Sequence, residues 1–342
     1  LKKILAIQQK IIPEMLELLE KRYSILKNIY YNQPVGRRTL SQDLNLGERI
    51  IRTEVNFLKH QGLIEINPIG MIVTEDGEYV LEQLKEMIYH ISGLSVLEDK
   101  IKHILKIKKV IVLPGDSEKD KTVQKEMGRA CANYIKNLIN DNSIISLTGG
   151  TSVAKVIDNF PKINTNNVLV VPARGGIGRD VEIQANTLTA NLAKKIGATY
   201  RLLHVPDKIS SETLESIINE PEIKDILDLL SKSDILLFGI GRADEMSKRR
   251  GMPQELIDDL LQKGAVAEAF GYYFNKKGEI IFRTPSIGIN FNDVKKIKNI
   301  IAIAGGKNKA EAIIATHIDN SEMVLVTDEA AANEIITLMN KK

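Results

Sequence analysis

Apolar residues change their spacing part-way along the chain. Up to about residue 108 they recur every three or four positions, the period of amphipathic helices; beyond it they come in short aliphatic runs. "EMLELLEKRYSILKNIYYN" repeats Met15, Leu18, Leu19, Ile25, Leu26 and Ile29 and predicts one amphipathic helix, which "NQPVGRR" ends. Thr39 followed by Gln42 has the form of a capping box, predicting a short helix over "LSQDL" that carries Leu40 and Leu44. "NLGE" turns the chain into "RIIRTEVNFLKHQGLI", where Ile50, Val55 and Leu58, with Ile51 secondary to them, face inward and Gly62 stands at a helix C-terminus. "LIEINPIGMIVTEDG" then gives two short extended segments around Asn67 to Gly70.

"EYVLEQLKEMIYHISGLSVLEDKIKHILKI" continues as one long helical pattern, weakest at Gly93. Its apolar residues Leu84, Met87 or Ile88, Ile91, Leu94, Leu97, Ile101 and Ile104 recur as a heptad-like seam, which fits either a dimerising coiled coil or a helix packed on its own domain. From Lys109 onward the runs are "KVIVLPG", "SIISLTGG", "VLVVPARGG", "TYRLLHVP", "DILLFGIG", "IIAIAGG" and "MVLVTDE", most followed by Gly or Pro and then a helical pattern. Nearly continuous apolar strands between helices predict a mostly parallel α/β sheet buried on both faces. "AVAEAFGYYFNKKGEIIF" interrupts the alternation with a hairpin around Lys277 and Gly278. The resulting domains are residues 1–75, a helical linker at 76–108, and residues 109–342.

Composition narrows the class. At 342 residues, 43% hydrophobic and 27% charged, the chain is long enough for two globular cores. No run of about 18 apolar residues occurs, so no membrane segment is expected. The opening "LKKILAIQQKIIPEMLELLEKR" is charged throughout and lacks the apolar core of a secretory signal, which points to the cytoplasm. A single cysteine, Cys131, excludes an intramolecular disulfide framework and reads as buried helix filler. The net charge of +3 identifies no partner by itself.

Its distribution says more. Two helices joined by a tight turn, the second exposing Arg49, Arg52, Thr53, Asn56 and Lys59, followed by a wing, form the pattern of a winged helix-turn-helix with its recognition helix second. Arg can read guanine bidentately and Asn adenine, while Lys and Arg neutralise phosphates. Base contacts are expected from Arg49, Arg52, Thr53 and Asn56, and backbone contacts from Arg37, Arg38 and Lys59. A small helical interaction domain has the same helices; the order of helices, turn and wing favours double-stranded DNA.

The second part carries glycine-rich strand-to-helix loops, where backbone N–H groups at a helix start attract anions. "TGGTS" adds the hydroxyls of Thr151 and Ser152. "AGGKNKAEAI" adds Lys307 and Lys309, "PARGG" adds Arg174, and "SKRRGMP" adds Arg249 and Arg250. Both the P-loop and the dinucleotide fingerprint are absent, so nucleoside triphosphates and nicotinamide cofactors are not expected, nor any other cofactor. Two glycine loops with separate cations fit a ligand carrying two phosphates.

"TGGTS", "VPARGG", "QANT", "GIGRAD", "EAFGYYFN" and "AGGKNKAEAI", in this order, resemble the effector domain of the SorC family of sugar-responsive regulators, and the resemblance runs through the helix-turn-helix. It implies a winged helix-turn-helix followed by a sugar-phosphate-isomerase-like, Rossmann-like effector-binding domain. It further implies a repressor of glycolytic genes that forms homodimers, and tetramers on its operator, and is induced by fructose-1,6-bisphosphate. Carried over by position, the family's pocket falls on Gly149, Gly150, Thr151, Ser152, Arg174, Gly175, Gly176, Gln184, Arg250, Glu268 and Lys309, with Arg249 and Arg250 competing for one role.

A sugar-phosphate isomerase or deaminase is the alternative, since the fold is shared. Such chemistry needs a general base and acid, usually carboxylate and His. "GIGRADEM" keeps Asp244 but lacks the Gly-His pair of the deaminases; His204 and His317 lie outside the loops, and Glu268 is the one plausible base. A sensor without catalytic residues is therefore expected.

Overall fold

The computed structural model describes residues 11–175, 180–205, 211–316 and 321–341. Contacts divide the chain into two units, one extending to Leu97 and including Ser117–Val123, the other comprising Glu98–Asp116 and the chain from Gln124 onward.

In the first unit, helices Pro13–Asn32, Arg37–Leu44 and Glu48–His60 precede strands β1 (Ile64–Asn67) and β2 (Gly70–Val73), and helix Glu75–Ile91 follows. The inward stripe of the first helix runs through Leu16, Tyr23, Ile25, Leu26 and Ile29, while Met15 is exposed. The expected capping box is not formed: the second helix begins at Arg37 after Gly36, with no side-chain cap, so Arg37 and Arg38 lie inside its first turn. The cause is tertiary. Val35 exchanges two backbone hydrogen bonds with Met71 of β2, and the chain leaves this bridge directly into the helix.

Helix Glu48–His60 buries Ile51, Val55 and Leu58, whereas Ile50 is exposed, about 100° round the helix from Ile51. It also buries the charged Glu54. The Glu54 carboxylate accepts from Arg22 Nε at 2.8 Å and lies 3.2 Å from Lys21 Nζ, and the Arg22 guanidinium stacks 3.5 Å from the Phe57 ring centroid. These contacts fasten the second helix of the pair to the first helix of the unit. The wing is an antiparallel hairpin pairing Ile64 with Val73 and Asn67 with Gly70, turning at Pro68–Ile69.

The long helical pattern divides into Glu75–Ile91 and Leu94–Leu105, parted at Ser92 and Gly93, where Gly93 takes a φ of +66°. Leu81 and Ile88 join the core of the first unit, so this stretch of the expected seam packs within its own domain.

The second unit carries β3 (Lys109–Leu113), β4 (Ile144–Leu147), β5 (Leu169–Pro172), β6 (Thr199–Tyr200), β7 (Ile235–Gly239), β8 (Gly241–Arg242), β9 (Ala265–Ala269), β10 (Tyr272–Asn275), β11 (Ile280–Arg283), β12 (Asn299–Ile303) and β13 (Met323–Asp328). The seven predicted runs form one parallel sheet in the order β3-β13-β12-β7-β4-β5-β6. Every residue of β13 and all of Ile235–Phe238 in β7 are buried, as strands covered by helices on both faces require. Cys131 is fully buried on helix Lys121–Lys136, and burial pushes its thiol pKa up. The hairpin at Gly278 belongs to a separate antiparallel sheet, β11-β10-β9-β8. No described helix is long and apolar enough to cross a membrane.

Burial alone would raise the Glu54 pKa; the hydrogen bonds and charges of Arg22 and Lys21 outweigh it and hold the carboxyl below its ordinary value of 4.5. A depressed carboxylate stabilises the fold above its unfolded pKa, and that contribution is lost as pH falls through the folded value. Glu54→Gln is therefore expected to lower stability by about 1–2 kcal/mol at neutral pH, and to flatten the acid limb of the wild-type profile below pH 4.5. Thermal unfolding across pH checks both; an unchanged acid limb contradicts the pairing.

Candidate functional site

From β4 the chain goes on to β5 and β6 on one side of the sheet; from β7, the other neighbour of β4, it goes on to β12 and β13 on the opposite side. The loops leaving the carboxyl ends of β4 and β7 thus diverge, and in a parallel sheet such a divergence opens a ligand crevice. A cavity of about 150 Å³ lies there, lined by Thr148–Val153 after β4, Gly239–Gly241 after β7, and residues brought up by neighbouring loops.

The first loop presents backbone N–H groups at a helix start. Gly150 has a φ of 122°, and a Cβ on Gly149 would lie 2.6 Å from the Ile183 carbonyl, so both positions require glycine. Gly150 donates its N–H to Ile183 O at 2.8 Å, which fixes the loop. Helix Thr151–Asp158 then starts with no side-chain cap, and its first-turn N–H groups have no acceptor within the helix. Thr151 is exposed and Ser152 half-buried, so their hydroxyls border the same cavity.

The deep part is a charged cluster. Glu268, on β9, accepts through Oε1 from Arg250 Nη2 at 2.5 Å and from the Gly271 N–H at 2.6 Å, and Arg174 Nη1 lies 3.8 Å from the same oxygen. All three side chains are buried. A Cβ on Gly271 would lie 1.9 Å from Arg174 Nη1; only glycine lets the guanidinium pass so close to the turn. Arg174 is itself placed by a backbone bridge to Gly288. Arg250 Nε, buried, has no hydrogen-bond partner among the described residues. Behind the cluster, burial raises the Tyr273 pKa further above the physiological range, so its phenol stays protonated.

At the rim, Arg249 ends helix Ala243–Arg249 and faces Asp180 at 3.9 Å, while Arg250 caps the helix and turns inward to Glu268. Both line the cavity; Arg250 is anchored to Glu268, and Arg249 is the more exposed of the two. Lys309 closes the short 3-10 turn Lys307–Lys309 and also lines the cavity, whereas Lys307 turns away to Glu334 at 3.4 Å. Gln184 and Gly175 are brought to the wall as well; Gly176 and His317 fall outside the described residues. Sequence reasoning missed Phe270, whose ring stacks 4.3 Å from that of Phe238 and lines the cavity. It occupies a turn at a φ of 54°, a conformation its side chain gives no signal for.

The groups an isomerase would need are committed elsewhere. Asp244 is held bidentately by Arg242 at 3.1 and 2.7 Å, Glu268 is hydrogen-bonded to Arg250 and lies beside Arg174, and His204 is exposed and outside the cavity lining. Among the described residues no group of His, Cys, Asp and Glu could hold a metal.

In the first unit, Arg49, Arg52, Thr53, Asn56 and Lys59 are all exposed on helix Glu48–His60, and the spacing of the first four puts them on one face. Thr53 Oγ1 donates to Arg49 O at 3.0 Å, and Arg37 Nη2 donates to Asn56 Oδ1 at 3.4 Å, bringing the cation of the preceding helix beside this face. Arg38 is exposed on the same preceding helix.

Two family models match consecutive parts of the chain: the CggR N-terminal DNA binding domain over residues 18–88 and a sugar-binding domain over residues 89–337. The central glycolytic genes regulator of Priestia megaterium is 43% identical over 342 residues, covering 99% of this chain and 100% of its own. That of Bacillus subtilis is 42% identical over 330 residues, with coverage of 96% and 97%. The crystal structure of a SorC family transcriptional regulator from Enterococcus faecalis superposes with a TM-score of 0.66 at 40% identity, covering 70% of this chain and 99% of that one. The chain belongs to the SorC family of transcriptional regulators, in the group of the central glycolytic genes regulators, and is a DNA-binding regulator rather than an enzyme.

Proposed function

We propose that the chain represses glycolytic genes, and that fructose-1,6-bisphosphate in the cavity of the second unit relieves its hold on operator DNA. The observation that carries this reading is the pairing, around one crevice, of an uncapped glycine-led helix start with separate cations on other loops. One phosphate sits on the first-turn amides of helix Thr151–Asp158 with the hydroxyls of Thr151 and Ser152. The other is met by Lys309, Arg249 and the Nε edge of Arg250, and Gln184 and Glu268 take the sugar hydroxyls. Glu268 serves this role while still anchoring Arg250 because its protein contacts converge on Oε1. Arg174 acts from beneath, holding Glu268 in place. No cofactor enters the scheme.

The DNA reading rests on the exposed Arg49, Arg52, Thr53 and Asn56 face, with Arg37, Arg38 and Lys59 for phosphates. The chain works in the cytoplasm as a homodimer that pairs into a tetramer on the operator, and effector binding weakens that assembly. Linkage then requires the DNA-bound form to bind the sugar less tightly, by a coupling of about 1–3 kcal/mol. A thermal-shift panel of phosphorylated sugars tests the ligand class: at a hundred times its dissociation constant the true effector stabilises by about 2.7 kcal/mol. A bisphosphate that neither stabilises the protein nor lowers operator affinity defeats the proposal.

Thr151→Ala is expected to weaken effector binding by about 1.5–3 kcal/mol, the range for a hydrogen bond to a charged group, and to leave operator affinity without sugar unchanged. Calorimetric titration beside a mobility-shift assay separates the two; a mutant that responds like wild type removes Thr151 from the site. Arg52→Ala should cost about 1–3 kcal/mol at the operator and relax its sequence preference. Lys59→Ala should weaken all sequences alike and reduce the salt slope by about one. Binding measured on operator and scrambled DNA at several salt concentrations distinguishes these outcomes, and equal effects of both changes on both DNAs contradict the assignment.

A further inference from the structure

The loop that carries Lys309 to the cavity is the 3-10 turn Lys307–Lys309, which leads directly into helix Ala310–Ala315. It is steadied by a side chain from a strand: Asp328, the last residue of β13, is fully buried and divides its two oxygens between this loop and a helix start. Oδ2 accepts the Gly306 N–H at 2.7 Å, the residue that opens the turn Lys307–Lys309, and Oδ1 accepts the Ala331 N–H at 2.8 Å, capping helix Glu329–Asn340. A second tie runs between the same elements through Lys307 and Glu334. A buried N–H left without an acceptor costs about 1–3 kcal/mol, so neither side of Asp328 can shift without the other following.

The next residue continues the chain of contacts. Glu329 Oε2 accepts the Gly115 N–H at 3.1 Å, and the Gly115 carbonyl accepts the Ala330 N–H at 3.1 Å. Gly115 is thereby clasped from both of its backbone groups by the start of the helix that Asp328 caps. One residue later the main chain passes from Asp116 into Ser117–Val123, the segment that groups with the DNA-binding unit, and returns at Gln124.

We infer that Asp328 and Glu329 are positioning residues that carry occupancy of the effector cavity from the Lys309 loop to Gly115, and so along the backbone into Ser117–Val123. The inference rests on the effector reading above. When Lys309 is drawn onto a phosphate, Gly306 moves with it, Asp328 transmits the shift to the helix start, and Glu329 delivers it to Gly115. Glu329 lies outside the cavity lining, so its removal separates sensing from response.

The test uses the full chain with Glu329→Ala and Glu329→Gln. Fructose-1,6-bisphosphate affinity is measured by calorimetric titration, and operator affinity with and without the sugar by fluorescence anisotropy. Glu329→Ala is expected to bind the sugar and the free operator within about twofold of wild type, yet to lose about fivefold or more of the sugar-induced fall in operator affinity, a loss within the usual range of coupling energies. Glu329→Gln keeps a carbonyl acceptor for the Gly115 N–H and should restore the response. An alanine variant that responds like wild type overturns the relay, as does one that loses operator binding without sugar, or a glutamine variant that fails to rescue. A wild-type protein whose operator affinity ignores the sugar overturns the effector reading itself, and the relay with it.

Discussion

Side by side in the sheet, β4 and β7 align Ile145 with Ile235 and Leu147 with Leu237, although β5 and β6 lie between them in the chain. This pairing is the constraint from which the second unit's site follows. Because the chain departs from the two strands toward opposite edges, no helix crosses above their carboxyl ends, and the space left there is the cavity. Around it, each loop contributes a group determined by its own local geometry: an uncapped helix start at Thr151, a capping cation at Arg250, a 3-10 turn ending at Lys309. The central strands β4, β7, β12 and β13, which are largely buried, set the spacing of these groups.

Charge balance decides what the cavity can do. The cations converge on it, but its one buried carboxylate, Glu268, ties Arg250 and lies beside Arg174. Removing Glu268 would leave two buried guanidiniums without their counter-charge, so the cluster is a fixed wall rather than a set of independent reactive groups. Arg249, which faces Asp180 at 3.9 Å, and Lys309 stand at the rim. A site with a buried ionic floor suits recognition of a ligand better than proton transfer. The same economy operates in the first unit. There Glu54 spends its carboxylate on Lys21 and Arg22, leaving Arg49, Arg52 and Asn56 exposed on the opposite side of the helix.

Legibility in the sequence followed the length scale of the signal. Helices whose stripes span several turns were readable, yet phase errors of one residue put Met15 and Ile50 on the wrong side, because neighbouring apolar residues leave the helix rotation open. The capping box at Thr39 was a valid local pattern that lost to a backbone bridge between Val35 and Met71, distant in sequence. The four-stranded sheet was only half visible: its turn at Phe270 and Gly271 lacks one of the usual turn residues, and β8 is two residues long. Most of the glycine loops and cations that line the cavity were legible because glycine and charge can be recognised residue by residue.

The sequence by itself determined the two periodicities, the parallel α/β class of the second unit, the helix-turn-helix with its wing, and the loops able to bind anions. These depend on the spacing of apolar residues and on backbone freedom at glycine, properties that neighbouring residues share along the chain. Only the tertiary structure decided that Arg250 is anchored while Arg249 faces the rim, that Glu54 is buried, that Lys307 turns away where Lys309 does not, and that one carboxylate at Asp328 binds both a loop and a helix start. Each of those choices depends on a partner far along the chain, such as Glu268, Lys21, Glu334 or Gly306, and no local pattern encodes which distant group will complete a buried charge or accept a buried N–H.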